Sequence, residues 1–349
     1  MNVGDRTVIS WRSGKPTAHP AGIFLVGDRA IVRMVGGKKP ILLPGNANVG
    51  DRATLSYLGG MKPIIIGGPL IIGDTFTKLA NPAILPAGNV YGVDFSSDNL
   101  YLALAHLHSP YVTIYKRSGD TFTKLADPNV LPVGNYSTGV AFSSDVVYLA
   151  VSHQVSPFVT IYKRSGDTFT KVSNPDVLPG GPGNAVAFSQ DTTYLAVGHY
   201  YSPYVTIYKR SGDTFTKLAD PAILPAGNVY GVDFSSDDAY LAVGHGTTPF
   251  VTIYKRSGDT FTKLADPAAL PSGDVHGVAF SPDIIYLSTA EYNPQYLTIY
   301  KRSGDIFTKL ADPATLPTGY GWGASFTSDA IYLAVGHGNS PYISIYKRS

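Results

Sequence analysis

Five histidines, His106, His153, His199, His245 and His337, recur at one place in a repeating pattern, and Glu291 fills the sixth place. A row of imidazoles invites a metal-binding or general-base reading, because imidazole ligates zinc and titrates near neutral pH. The spacing argues against it. Successive positions are 46 or 47 residues apart, so each falls in a different structural unit and no two stand at ligand-pair spacing within one element. A contact that every unit needs, such as a hydrogen bond to a neighbouring loop, is the expected role. Glu291 belongs to the most divergent unit. Two carboxylates, Asp94 and Asp233, sit where the other units have Ala or Ser. Three units apart, they exceed the separation of a glycosidase acid–base pair. Residues 74–98 and 213–237 differ only at Asn81 against Asp220, so duplication of a block accounts for both.

The third constellation is aromatic. Sixteen of the 24 tyrosines fill repeat positions, and eight do not: Tyr57, Tyr91, Tyr136, Tyr200, Tyr201, Tyr230, Tyr292 and Tyr320. All but Tyr57 fall in connections that should emerge at one end of the fold, with His276 and Trp322. Rings beside Asn, Ser, Asp274 and Glu291 suit stacking on sugars with hydrogen bonds to hydroxyls, or docking of a neutral protein surface. The candidate ligand-binding residues are therefore Tyr91, Tyr136, Tyr200, Tyr201, Tyr230, His276, Glu291, Tyr292, Tyr320 and Trp322. Packing of loop on loop is the competing reading of the same rings.

The elements that position these groups follow from the repeat. Gly-Asp-Xaa-Phe-Thr-Lys occurs six times, at Gly73, Gly119, Gly166, Gly212, Gly258 and Gly304. Each unit holds four short runs rich in β-branched and aromatic residues, for example Gly231–Phe234, Tyr240–Val243, Val251–Lys255 and Thr260–Leu264. A period in the forties with four such runs predicts an all-β, six-bladed β-propeller over residues 73–349, its strands named a to d from the axis outward. The chain stops after the sixth c strand, and Gly73–Leu79 supplies the missing d strand. The predicted ring is thus closed by pairing of this N-terminal strand with the C-terminal blade. The d-to-a and b-to-c connections emerge together on the top face.

This organisation resembles WD-repeat propellers, with Gly-His at Gly198-His199, Gly244-His245 and Gly336-His337. The wording of the unit, YLAVGHxxSPYVTIYKRSGDTFTKLADPxxLPAGNVYGVxFSSD, resembles repeats of bacteriophage virion- and tail-associated proteins across residues 73–349. Its Arg-Ser-Gly-Asp-Thr-Phe turns also resemble a shortened Asp-box of sialidases, a structural element there.

Residues 1–72 form a second region. Val-Gly-Asp-Arg recurs at Val3, Val26 and Val49, at a spacing of 23, which predicts a small domain of three β-hairpins. Its third copy, YLGGMKPIIIGG, resembles small β-barrels of phage baseplates. Nine Lys or Arg against three Asp give this region a net +6, while residues 73–349 carry −4. Arg6, Arg29, Arg33, Lys38, Lys39 and Arg52 are the candidate particle-docking residues. Lys and Arg of the propeller are confined to the c and d strands, so nucleic acid is not expected as its partner.

Cysteine is absent, and neither a signal peptide nor a membrane-spanning run is apparent. No phosphate loop or nucleophile elbow is present. The sequence therefore predicts a non-enzyme without cofactor or metal, a phage or phage-like virion component. Its N-terminal domain would dock on other virion proteins and its propeller would display a face for a host glycan or protein. A decoration or spacer protein, packing against copies of itself, and a cellular carbohydrate-binding lectin or scaffold are the alternatives.

Overall fold

The computed structural model describes residues 79–134 and 136–348, together with the backbone of six short strands between residues 2 and 58. The chain divides into two compact units, Met1–Leu79 and Ala80–Ser349.

In the first unit, like strands of the 23-residue copies pair in parallel. Asn2–Val3, Leu25–Val26 and Asn48–Val49 form one sheet, and Val8–Trp11, Ile31–Val35 and Thr54–Leu58 form another. Ile9 faces Val32, which faces Leu55. Pairing at a constant offset of one copy stacks the copies, as in a solenoid. The second strand of each expected hairpin lies outside the described residues. Of the expected docking residues, Arg33 lies in a described strand, opposite Ser10 and Ser56; Arg6, Arg29, Lys38, Lys39 and Arg52 lie outside.

The second unit is a six-bladed propeller without a helix among the described residues. The a strands are Val90–Phe95, Ser137–Phe142, Gly183–Phe188, Val229–Phe234, Val275–Phe280 and Gly321–Phe326. Each pairs antiparallel with a b strand, and that with a c strand, as Val229–Phe234 does with Tyr240–His245 and Val251–Ser257. Five blades complete the sheet with a d strand such as Thr260–Lys263. The sixth shows three strands; of Gly73–Leu79, expected as its fourth, residues 73–78 lie outside the described residues. The c–d turns are two-residue loops whose Gly adopts φ of 56 to 59°, the left-handed conformation a primed hairpin turn demands.

A blade is apolar on both faces, so each must be covered by a neighbour. Val205 and Ile207 of blade 3 pack on Val229, Val232, Phe234 and Phe261 of blade 4. The same set recurs between blades 1 and 2, 2 and 3, and 4 and 5. Fully burying each aliphatic side chain contributes about 1.5–3 kcal/mol. A polar clasp lies below it. Tyr194 stacks edge-on to Phe261 at 5.8 Å and donates its hydroxyl hydrogen to Asp259 at 2.6 Å. Lys209 bonds the same carboxylate at 2.8 Å, and Arg256 covers the Tyr194 ring at 5.0 Å. Tyr101–Asp167, Tyr148–Asp213 and Tyr240–Asp305 repeat the arrangement. The turn aspartates that resemble an Asp-box thus work as interblade acceptors. A second buried tyrosine per blade ties down the d–a connection that leads into that blade: Tyr208 donates to the Val177 carbonyl at 2.8 Å, and Tyr254 to that of Ile223 at 2.9 Å.

Tyr194→Phe removes one hydroxyl from the clasp and leaves Asp259 to Lys209. A loss of about 1 kcal/mol is expected in urea denaturation, and Tyr148→Phe and Tyr240→Phe should match it.

Candidate functional site

Each a strand carries one irregularity of register, between Val90 and Gly92, Ser137 and Gly139, Gly183 and Ala185, Val229 and Gly231, Val275 and Gly277, and Gly321 and Gly323. The residues inserted there are Tyr91, Thr138, Asn184, Tyr230, His276 and Trp322. A bulge adds a residue to one strand and re-aims its side chain. Six near-identical strands therefore present six points of very different chemistry at the top of the central channel.

From Thr138 to His276, each bulge residue contacts the next a strand at its bulge. Thr138 donates to the Gly183 carbonyl at 2.7 Å, and Asn184 to that of Val229 at 2.8 Å. Tyr230 stacks on His276 with ring centroids 4.5 Å apart and planes at 2°, and His276 meets Trp322 edge-on at 5.1 Å. Two loop tyrosines extend this group: Tyr292 stacks on Tyr320 at 4.1 Å and meets Trp322 at 6.0 Å. Tyr296, which fills a regular repeat slot and was not singled out by sequence, reaches Tyr320 at 6.2 Å. Blades 4 to 6 thus carry a continuous aromatic platform. Trp322 is 51% exposed, Tyr320 41% and Tyr292 39%.

The other expected residues form separate pairs. Tyr91 and Tyr136 lie 5.9 Å apart, and Tyr200 meets Tyr201 edge-on at 5.7 Å. The Tyr201 ring covers Gly181, where an added Cβ would come within 2.5 Å of it. Gly246 likewise lies under Tyr230. These glycines leave room for the rings, so loop packing and ring presentation are served by the same contacts.

Burial, partly offset by Asp274, lowers the pKa of His276 below the usual imidazole value. At neutral pH it stacks on Tyr230 as an uncharged ring that can donate and accept a hydrogen bond. Burial raises the Tyr230 hydroxyl pKa. Cations do reach this end of the fold, at the top ends of the d strands, but each is held. Lys217 pairs with Asp220 at 2.6 Å and Lys309 with Asp312 at 3.0 Å; Lys124 pairs with Asp127 and Lys263 with Asp266. Lys171 bonds Asn174 at 2.6 Å.

Glu291 does not join the platform. It is fully buried, accepting from the Ser272 backbone N–H at 2.7 Å, the Ser272 hydroxyl at 2.6 Å and the Thr289 hydroxyl at 2.9 Å. Its place in the histidine row explains this. His106, His153, His199 and His245 bond through Nε2 to Thr113, Thr160, Thr206 and Thr252 at 2.9–3.0 Å, and His337 to Ser344 at 3.1 Å. One partner of each imidazole is thus the c strand of the same blade. In blade 5 Glu291 turns to Ser272 instead, and the Thr298 hydroxyl is left without a partner. Among the described residues no cluster of His, Cys, Asp or Glu could hold a metal ion, and no helix is long and apolar enough to cross a membrane.

Asp94 and Asp233 lie further down the channel, three blades apart, partly accessible from within it. Each accepts the N–H of the next blade's a-strand phenylalanine, Phe142 or Phe280, at 2.7 Å. Enclosure raises both to about 7, and the charge of Asp94 adds to the effect on Asp233.

No protein-family model and no curated protein matches the chain. Among solved structures it is similar to Kuenenia stuttgartiensis hydrazine synthase, with a TM-score of 0.60 and 15% identity over 74% of this chain and 84% of that one. It is also similar to a protein from Lactobacillus plantarum, with a TM-score of 0.61 and 16% identity over 76% and 83%. Likeness at this level shows the fold alone. It also overturns the expectation of a non-enzyme, since a chain of this fold belongs to an enzyme and the fold does not exclude catalysis.

The buried titratable groups predict a pH profile. His153, His199 and His245 protonate near pH 4 in the fold, because burial disfavours their charge, and near 6.5 when unfolded. Their contribution is whole above pH 6.5 and is lost as the pH falls from 6.5 toward 4. The channel aspartates act in the opposite sense. With a folded value near 7 against an ordinary 3.8, they lose their contribution as the pH rises from 3.8 through 7. Asp233→Asn should therefore stabilise the protein by about 1–3 kcal/mol at pH 8, allowing for hydration of the channel, and change little at pH 4. Thermal melts at the two pH values check this.

Proposed function

We propose that the propeller is a recognition module whose aromatic mouth holds a neutral glycan. The observation that carries this reading is the continuous platform of Tyr230, His276, Tyr292, Tyr320 and Trp322, built on bulged strands and top loops in otherwise repetitive blades. Sugar rings present C–H faces that pack on exposed aromatic faces, and Tyr hydroxyls, neutral His276 and Asn184 supply donors and acceptors for sugar hydroxyls. The ion-paired lysines at this end disfavour an anionic backbone as ligand.

The setting we propose is the surface of a phage or phage-like particle. Its support is the wording of the repeat unit, which resembles that of phage virion proteins although no family model or curated protein matches, together with the charge division that gives residues 1–72 a net +6. In that setting the N-terminal region docks on the particle and the propeller faces the host.

Labelled full-length protein should bind bacterial envelopes, and binding should fall after periodate oxidation of their glycans. Trp322→Ala should weaken binding about tenfold or more with little change in melting temperature, because half of the ring is already exposed. Binding that survives oxidation would point to a protein receptor. No binding across a broad panel would favour a decoration protein.

A further inference from the structure

The a strands of consecutive blades lie side by side from Val90–Phe95 through Gly321–Phe326, but the first and last of the series do not adjoin each other. The two outermost faces are consequently uncovered. On blade 1, Val90 is 41% exposed, Val93 62% and Phe95 50%; on blade 6, Ile343 is 50% exposed and Ile345 52%. Their counterparts are shut away elsewhere. Val140, Val186, Val232 and Val278 are 8–9% exposed, and Val112, Ile114, Val205 and Ile207 are 0–3%.

These two faces are not arbitrary apolar patches. Blade 6 carries the giving half of the interblade contact: Ile343 and Ile345 on its c strand, Tyr332 on its b strand and Lys347. Blade 1 carries the receiving half: Val93 and Phe95 on its a strand, Phe122 on its d strand, and Arg117 and Asp120 at its c–d turn. The Asp120 carboxylate has no ion-pair or hydrogen-bond partner among the described residues, whereas Asp167, Asp213, Asp259 and Asp305 each bind a Tyr hydroxyl and a Lys of the preceding blade.

We propose that blade 6 docks on blade 1 of the same chain through one more copy of this contact. Tyr332 and Lys347 meet Asp120, Arg117 covers the Tyr332 ring, and Ile343 and Ile345 pack on Val93 and Phe95. Apolar shape, hydrogen-bond donors and charge all match what four existing interfaces use. Both halves stand on one chain, so docking is unimolecular and favoured over capture of a second copy at ordinary concentrations. Docking also has a consequence for the mouth. Bulge rings touch at the last two interfaces, Tyr230 on His276 and His276 on Trp322, so the same docking brings Trp322 beside Tyr91 and extends the aromatic platform to the Tyr91–Tyr136 pair. Ligand affinity is then coupled to closure of the ring. This second half rests on the ligand-binding reading above, and the first half does not.

The chain has no cysteine, which makes crosslinking direct. In the double variant Asp120→Cys with Lys347→Cys, a short bismaleimide should link the two sites at the mass of a monomer. The yield should approach that of Lys116→Cys with Asp167→Cys, whose native pair stands at 2.8 Å. A product only at dimer mass, or none while the control reacts, would overturn the proposal. Val93→Asp gives an independent reading in the uncrosslinked protein: a clear fall in melting temperature if the face is docked, and no change if it stays open to water. Neither measurement uses a ligand. Once closure is established, equal glycan affinity of crosslinked and Val93→Asp proteins would reject the coupling alone.

Discussion

The interface between consecutive blades is the constraint on which the rest of this molecule depends. A four-stranded sheet cannot bury both of its faces by itself, and a 46-residue unit is too small to build a core of its own. Val205 and Ile207 have no apolar cover until blade 4 brings Val232, Phe234 and Phe261 against them. The clasp beneath adds direction to this non-directional burial. One aspartate receives a tyrosine and a lysine from the preceding blade, which fixes the tilt of the sheets and orders them in one sense around the axis.

That division of labour explains where the sequence is free to change. The start of strand b, strand c and the c–d turn supply the clasp, so they are almost uniform between units. The top connections contribute little beyond a backbone anchor, the tyrosine hydroxyl that holds the Val177 or Ile223 carbonyl. Side chains there can diverge without loss of the ring. The bulge on each a strand extends the same freedom to the channel mouth, where Thr138, Asn184, Tyr230, His276 and Trp322 occupy one structural position.

Much of this was legible in the chain because each strand repeats its pattern and each turn its Gly-Asp. The period, the four strands per blade and the gathering of irregular tyrosines at one end could all be read from residue types. Other features could not. The bulge shifts pairing by one residue, and Val-Tyr-Gly-Val reads as an ordinary strand. The partner of each histidine, such as Thr206 for His199, sits inside a uniform Val-Thr-Ile-Tyr run that nothing marks out. The parallel pairing at the 23-residue offset was hidden because hydrophobic pattern fixes which face a residue takes, not which strand lies beside it. The lysine–aspartate pairs at the top were visible as Lys-Leu-Ala-Asp, but their position at the upper rim became apparent only once the d strands were placed.

Blade 5 shows how far such a slot can be altered before the scaffold objects. Replacing histidine by Glu291 puts an acceptor-only side chain where an imidazole had bonded a threonine. The Thr298 hydroxyl loses its partner, and leaving a buried hydroxyl unpaired costs about 1–3 kcal/mol. The carboxylate recovers part of this by taking the backbone N–H and hydroxyl of Ser272 and the hydroxyl of Thr289. In doing so it ties the b strand to the connection that leads to His276. The substitution expected among the ligand-binding residues is therefore a brace. It holds in place the connection that leads into the bulged strand carrying His276, and its chemistry is spent before any ligand arrives.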